Sequence, residues 1–515
     1  MNPFHDGTDT DRPVARISKV ATGHCSCAKP WERRHLCRRS QVQPPSQTTL
    51  TSESKDSVQL RLISSRHRKI YVQPRAPPAG SPCVSEHPAK HPTFAEAFRF
   101  WLKLGFISFG GPGGQIAIMH EELVEKKKWI SEDRFLHALN YCMLLPGPEA
   151  QQLATYLGWL LHKTWGGIVA GALFVLPSAV ILWALSWVYV TFGEVRWVAA
   201  VFYGLKPAVL AIVGAAVLRI GGKALKNEVM WTLAGLAFVA IYFFKLPFPL
   251  IILSAALIGL VGGRFWRKKF LVIGGHASTN VLDDHGGAHT RPSLARAVKV
   301  CVVCLLLWWT PVLLIGGWLG TQHALFQEGI FFSKAAMVTF GGAYAVLPYV
   351  SRQAVETHAW LGPGQMLDGL GLAETTPGPL IMVLQFVGFL GGWNFPGPLP
   401  PLLAATLGAA ITTWTTFLPC FLWIFLGAPH IERLRENRAL TAALSAITAA
   451  VVGVIVNLAL WFGVAVLFPK GGPVNGFGIG IAVVAFAGMQ RWKWGVIPVV
   501  LASGALGVLW MLLGW

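Results

Sequence analysis

The stretch FWLKLGFISFGG, residues 100–111, returns as FFSKAAMVTFGG at residues 331–342. The offset is 231 residues and no gap is needed. Carried forward, it lays Glu125 on Glu356, Trp129 on Trp360, and Pro146-Gly147-Pro148 on Pro377-Gly378-Pro379. Between 100 and 148 there are 13 identities in 49 positions. Chance at ordinary composition gives about three or four. The chain is an internal repeat of two long units, and a repeat of this length sets the architecture.

Composition says what the units are made of. Of 515 residues, 53% are hydrophobic, 22 are Trp and only 13% are charged, against about 25% charged in soluble domains. Apolar runs long enough for a bilayer, about 20 residues, recur at 167–190, 229–244, 248–263, 300–320 and 495–515. They run solidly apolar rather than alternating, which argues against a barrel. The fold class is an all-α polytopic membrane protein. Behind the first repeat core come apolar stretches 165–191, 195–218, 228–244 and 248–263. Behind the second come 397–427, 436–466, 473–488 and 493–513. One span, 298–320, has no counterpart.

Charge orients the chain. The net charge of +19 is uneven: residues 1–93 carry +8 and residues 264–299 carry +5. Basic segments beside apolar spans mark the cytoplasmic side, so the charge reads as topology. No aromatic-basic module of a nucleic-acid binder accompanies it. The domains are then a basic cytoplasmic tail (1–93), a first repeat (94–263), a basic cytoplasmic linker (264–297), an extra span (298–320) and a second repeat (328–515). If both tail and linker are inside, the first unit crosses an even number of times. The extra span carries the chain out to TQHALFQEG, a loop without Lys or Arg. The second unit therefore starts outside and is expected to be inverted. Lys126-Lys127-Lys128 would lie outside if 94–112 crossed fully; a re-entrant first segment keeps them inside.

Cysteine contributes little. Cys142, Cys301, Cys304 and Cys420 sit in apolar segments and act as small hydrophobes. The tail reads as disordered and shows no signal-peptide core. Its cluster His24, Cys25, Cys27, His35 and Cys37 reads as incidental thiols, with metal binding as the alternative. No cofactor or metal is called for elsewhere.

The apolar course of each unit is interrupted. In MLLPGPEAQQLATYLGW (143–159) a Pro-Gly-Pro falls mid-run, followed by Glu149, Gln151 and Gln152. Proline lacks an N–H and favours a helix start. The pattern predicts one helix ending near Leu145 and another starting near Pro148, its free N–H groups and positive dipole end at membrane depth. Such an end is an anion site. Pro377, Gly378 and Pro379 make a second, and the loops Phe109-Gly110-Gly111 and Phe340-Gly341-Gly342 add further breaks. Proline kinks packed by neighbours are the alternative. Two matching copies in inverted units favour a substrate site, as in secondary transporters.

Lys103 and Lys334 share a repeat position and could supply charge to an anion, or snorkel to the interface. Glu149 would repel an anion unless protonated, and burial favours the protonated form. It is the candidate proton-coupling residue, with helix capping as the alternative. The second repeat has Leu380, Met382 and Val383 where the first has Glu149, Gln151 and Gln152. The halves are chemically unequal.

At these residues the chain resembles the chromate ion transporter (CHR) family. The likeness rests on SFGGPGGQIAIMHEELVEKKKWISEDRFLHALNYCMLLPGPEAQQLATYLGW and on TFGGAYAVLPYVSRQAVETHAWLGPGQMLDGLGLAETTPGP. It spans about 94–515 and both family domains. The resemblance implies a multi-pass inner or plasma membrane protein exporting chromate, driven by membrane potential or proton gradient. The residues by themselves suit any tetrahedral oxyanion; a sulfate transporter and a passive anion channel stay open. A membrane enzyme acting on a phosphate ester finds no Walker loop or His-Glu-x-x-His motif in support. Partners expected are the oxyanion and the lipid bilayer, not nucleic acid. Neither oligomeric state nor transport direction can be read from the residues.

Overall fold

The computed structural model describes residues 91–270, 293–430, 438–469 and 474–513. The thiol cluster at 24–37 and most of the basic linker lie outside these. Among the described residues every element is helical. The first unit comprises α1 (Phe94–Ile107), α2 (Gly111–His120), α3 (Glu132–Cys142), α4 (Glu149–Phe192), α5 (Arg196–Ala224), α6 (Glu228–Tyr242) and α7 (Phe248–Phe265), with the short α8 (Arg267–Phe270) after it. The unpaired span is α9 (Leu294–Leu319). The second unit holds α10 (Ala324–Met337), α11 (Ala343–Arg352), α12 (Pro363–Thr375), α13 (Val383–Asn394), α14 (Pro401–Gly427), α15 (Arg438–Leu467), α16 (Gly476–Arg491) and α17 (Val496–Leu512). Six of these helices (α4, α5, α7, α9, α14, α15) are long and apolar enough to cross a membrane. The protein is a multi-pass helical membrane protein.

The units match helix for helix once α4 is divided. His162 (φ −136°) and Lys163 (φ 54°) leave helical geometry inside it. The piece before them answers α13, and the piece after answers α14. The match extends to details. The ring of Phe100 meets Trp129 edge-on at 5.6 Å, and Phe331 meets Trp360 at 5.7 Å. The Trp129 N–H donates to the Leu123 carbonyl (2.9 Å) as the Trp360 N–H donates to Ala354 (2.8 Å). Both α2 and α11 run into a π-helical turn, Glu121–Lys126 and Gln353–Thr357.

Helix α1 starts on a capping box. Thr93 accepts from the Glu96 N–H (3.3 Å), and the Glu96 carboxylate accepts from the Thr93 N–H (2.9 Å), satisfying two orphan donors at once. Its 14 residues cover about 21 Å, short of the roughly 30 Å hydrocarbon core. The mirror helix α10 also has 14 residues. Neither is long enough alone to cross. The long helices pack crosswise between units: α5 lies against α16 and α17, and α15 against α6 and α7. Apolar side chains bury along these seams, Ala208, Ala211, Ile481 and Val499 on the first and Met230, Leu233, Ala442 and Ala446 on the second. Large residues such as Trp231, Phe244, Leu253, Leu314 and Leu501 stay exposed. An apolar outer surface is what a bilayer solvates.

Candidate functional site

Helix α3 ends at Cys142 and α4 begins at Glu149, with Pro148 as its N-cap. Between them Gly147 adopts φ 126°, a conformation L side chains rarely take. A Cβ there would also sit 2.7 Å from Gln152 Nε2 and 2.8 Å from Cys420 Sγ. The freed backbone needs partners at this depth. The Gly147 N–H donates to the Thr339 carbonyl of the other unit at 2.7 Å. Gln152 Nε2 donates to the Pro146 carbonyl at 2.7 Å and braces the turn.

The second break is built the same way. Gly378 has φ 111°, and its N–H donates to the Ser108 carbonyl at 2.7 Å. Ser108 and Thr339 are mirror positions, each followed by Phe-Gly-Gly. Each unit's break is thus closed by the loop of the other unit. One side chain joins in without a mirror. Gln115 Nε2 donates to the Gly378 carbonyl (2.5 Å) and the Ser108 carbonyl (3.3 Å). Its own Oε1 is buried without a partner. The mirror residue is the apolar Val346.

These segments enclose one small cavity, lined by Pro112, Gln115, Pro148, Glu149, Ala150, Ala343, Pro379, Leu380 and Ile381. Helical starts meet there from four sides. Pro112 is in the first turn of α2, Glu149 opens α4, Ala343 opens α11, and Leu380 opens a 3₁₀ turn leading into α13. A helix start carries unpaired N–H groups and a partial positive charge, and first-turn residues of α2, α4 and α11 lie on this lining. The cavity volume is about 10 Å³, room for about one water. An oxyanion of five heavy atoms enters only if the breaks move apart.

The sequence model of the chromate transporter family matches residues 95–260 and 326–508, the two repeat units in turn. The chain belongs to the chromate transporter family. A chromate transport protein of Cupriavidus metallidurans is 29% identical over 435 residues, 84% of this chain and 96% of that protein. One of Pseudomonas aeruginosa is 32% identical over 420 residues, 81% of this chain and 92% of its own length. A shorter relative, the uncharacterized transporter YwrA of Bacillus subtilis, is 27% identical over 166 residues, 32% of this chain but 93% of that protein. No solved structure matches.

Within this family member the expected site residues divide into four groups. Pro148, Glu149 and Pro379 line the cavity. Pro146, Gly147, Pro377 and Gly378 form the turns behind it, and Phe109, Gly110, Gly111, Phe340, Gly341 and Gly342 form the loops leading into α2 and α11. Gln151 and Gln152 are fully buried but turn away: Gln151 Nε2 donates to Thr155 Oγ1 at 3.1 Å. Lys103 and Lys334 are exposed and absent from the lining. Lys103 lies within electrostatic reach of Glu122, and Lys334 of His358.

Three features escaped sequence reasoning. Gln115 lies within the repeat motif, but nothing in the motif marks it as a bridge across 263 residues. Arg219 and Lys223, one turn apart on α5, come within electrostatic reach of Glu374 and Glu149 respectively. Only their spacing of four hinted at a shared face. Glu374 precedes the second break, where the Tyr344 hydroxyl donates to it.

Proposed function

We propose that this chain is a secondary transporter of a tetrahedral oxyanion, chromate, which it moves out of the cytoplasm across the inner or plasma membrane. The observation that carries this reading is the convergence of four helical starts on one cavity between the two breaks. An anion there meets several dipole ends and backbone donors in a low-dielectric setting, where each is worth more than in water. The Cupriavidus metallidurans and Pseudomonas aeruginosa relatives are chromate transport proteins by name, and any tetrahedral oxyanion of that size shares the geometry. The two units are inverted in the membrane with the N-terminal tail inside, and the site is reached alternately from either face as the units rock about it.

Glu149 supplies the coupling. As a carboxylate it faces the anion with like charge; as an acid it can share the cavity. Anion and proton then occupy and leave the site together. The net negative charge carried outward lets a membrane potential, negative inside, drive export, and a proton gradient acid on the cytoplasmic side adds to it.

The test is uptake of labelled chromate and labelled sulfate into inverted vesicles, with and without an imposed proton gradient. Gradient-dependent accumulation of chromate is the expected result. Flux that follows only the anion's own gradient would make the protein a passive channel. Glu149→Gln fixes the neutral form: it retains anion binding and downhill flux and loses proton-driven accumulation. If Glu149→Gln still accumulates anion on a proton gradient, the residue is a helix cap and no more.

A further inference from the structure

Glu328 lies on α10, little more than a turn from the helix start, and is 0% exposed. Among the described residues neither of its carboxyl oxygens has a hydrogen-bond partner. Two neighbouring helices close on it through glycines. A Cβ at Gly391 of α13 would collide with Oε1, and one at Gly408 of α14 would sit 3.0 Å from Oε2. One turn along α14, the Thr412 hydroxyl is buried and unpartnered as well. The mirror residue in the first unit is Ala97, also buried. Packing at this place in the repeat is therefore met by a methyl group, and the acid is an addition.

No neighbouring element answers the charge. Helix α13 carries no Asp, Glu, Lys, Arg or His, and the one titratable group on α14 is the distant Cys420. On α10 itself Ala324, Leu325, Phe331 and Phe332 surround the acid by sequence spacing. His323, before the helix, has its ring nitrogens near the Leu325 N–H (3.2 Å) and the Pro396 carbonyl (3.3 Å). Trp360 covers Gly391, and His358 stacks on the Trp360 ring at 4.4 Å between centroids, with no hydrogen bond or ion pair to Glu328 among the described residues. Helix α9 meets α10 with Val312 and Trp308. The charged residue on α11, Arg352, is paired with Glu356 (3.1 Å). An ionised carboxylate in this place would be bare, at a cost of several kcal/mol.

We propose that Glu328 is a proton-binding site separate from the cavity. It holds a proton while α10, α13 and α14 are closed on it, and it gives that proton up when the interface parts and water reaches the carboxylate. Its use in transport rests on the proton-coupled reading above; its protonation does not.

Infrared difference spectra of the purified full chain separate the two. At neutral pH the wild type should show the carbonyl stretch of an un-ionised carboxylic acid that moves in D₂O and is lost in Glu328→Gln. Glu328→Ala, which installs the mirror residue, serves if the glutamine variant folds poorly. The same band should persist in Glu149→Gln. If neither Glu328 variant removes such a band, the residue is ionised and the proposal fails. In proteoliposomes, Glu328→Gln should keep downhill chromate flux and move fewer protons per anion. An unchanged proton-to-anion ratio would overturn the carrier role. Failure of the oxyanion reading would show differently: no chromate flux in the wild type, with the infrared band still present.

Discussion

Gly378→Ala tests whether the second break is held by packing as well as by backbone conformation. At φ 111° a Cβ costs about 1–2 kcal/mol. That Cβ would also lie 2.5 Å from Ser178 Cβ and 2.9 Å from its Oγ on α4. Overpacking of this kind adds about 1–3 kcal/mol. Gly342→Ala is the comparison: its φ is 90°, and nothing lies within 4 Å of its Cβ. It should lose only the conformational part. Ser178→Gly removes both clashing atoms, at its own helix-interior cost of about 0.5–1 kcal/mol. In a double-mutant cycle the Gly378→Ala, Ser178→Gly pair should recover the packing part, an interaction energy of about 1–3 kcal/mol. Equilibrium unfolding in mixed micelles, followed by tryptophan fluorescence, measures all four proteins. An interaction energy near zero, or a Gly342→Ala loss equal to that of Gly378→Ala, would refute the packing argument and leave conformation alone.

Gln115→Leu strips a donor from the buried Gly378 and Ser108 carbonyls, costing about 1–3 kcal/mol; chromate flux should fall while Val346→Ala leaves it near wild type. The exposed placement of Lys103 and Lys334 predicts a role in drawing anions in rather than holding them. The double Lys→Gln variant should raise KM at low ionic strength, with the effect fading as salt screens it; loss of flux at every ionic strength would place the lysines in the site. Single cysteines at Lys268 and Gln322 should label with an impermeant thiol reagent from opposite faces of the membrane. Labelling from one face would end the inverted arrangement.

The fold was legible where the repeat is strongest. Identities at Phe-Gly-Gly, Trp129/Trp360 and Pro-Gly-Pro locate the same turns in both units, because each depends on a local feature: a missing N–H, a positive φ, an aromatic pair. The apolar runs marked α5, α9, α14 and α15 to within a few residues. The break at His162–Lys163 was invisible, since neither residue punctuates a helix by type. The site was half legible. Proline and glycine announced the two helix starts, whereas the closing of each break by the other unit's loop is a tertiary fact with no local signature. Lys103 and Lys334 drew notice by position, yet the cations within electrostatic reach of Glu374 and Glu149, Arg219 and Lys223, sit in a helix that looked like an ordinary span.

The crossed bonds of Gly147 to Thr339 and Gly378 to Ser108 also constrain the order in which the molecule can be made. Thr339 follows Gly147 by 192 residues, and at about 5–20 residues per second a ribosome needs roughly 10–40 s to supply it. Over that interval the nascent first unit holds an N–H in an apolar setting without its acceptor, so it must borrow water or wait at the translocon. Both turns therefore wait on the second unit: one needs its Thr339 carbonyl, and the other is its own Gly378 reaching back to Ser108. Neither half can satisfy its break alone.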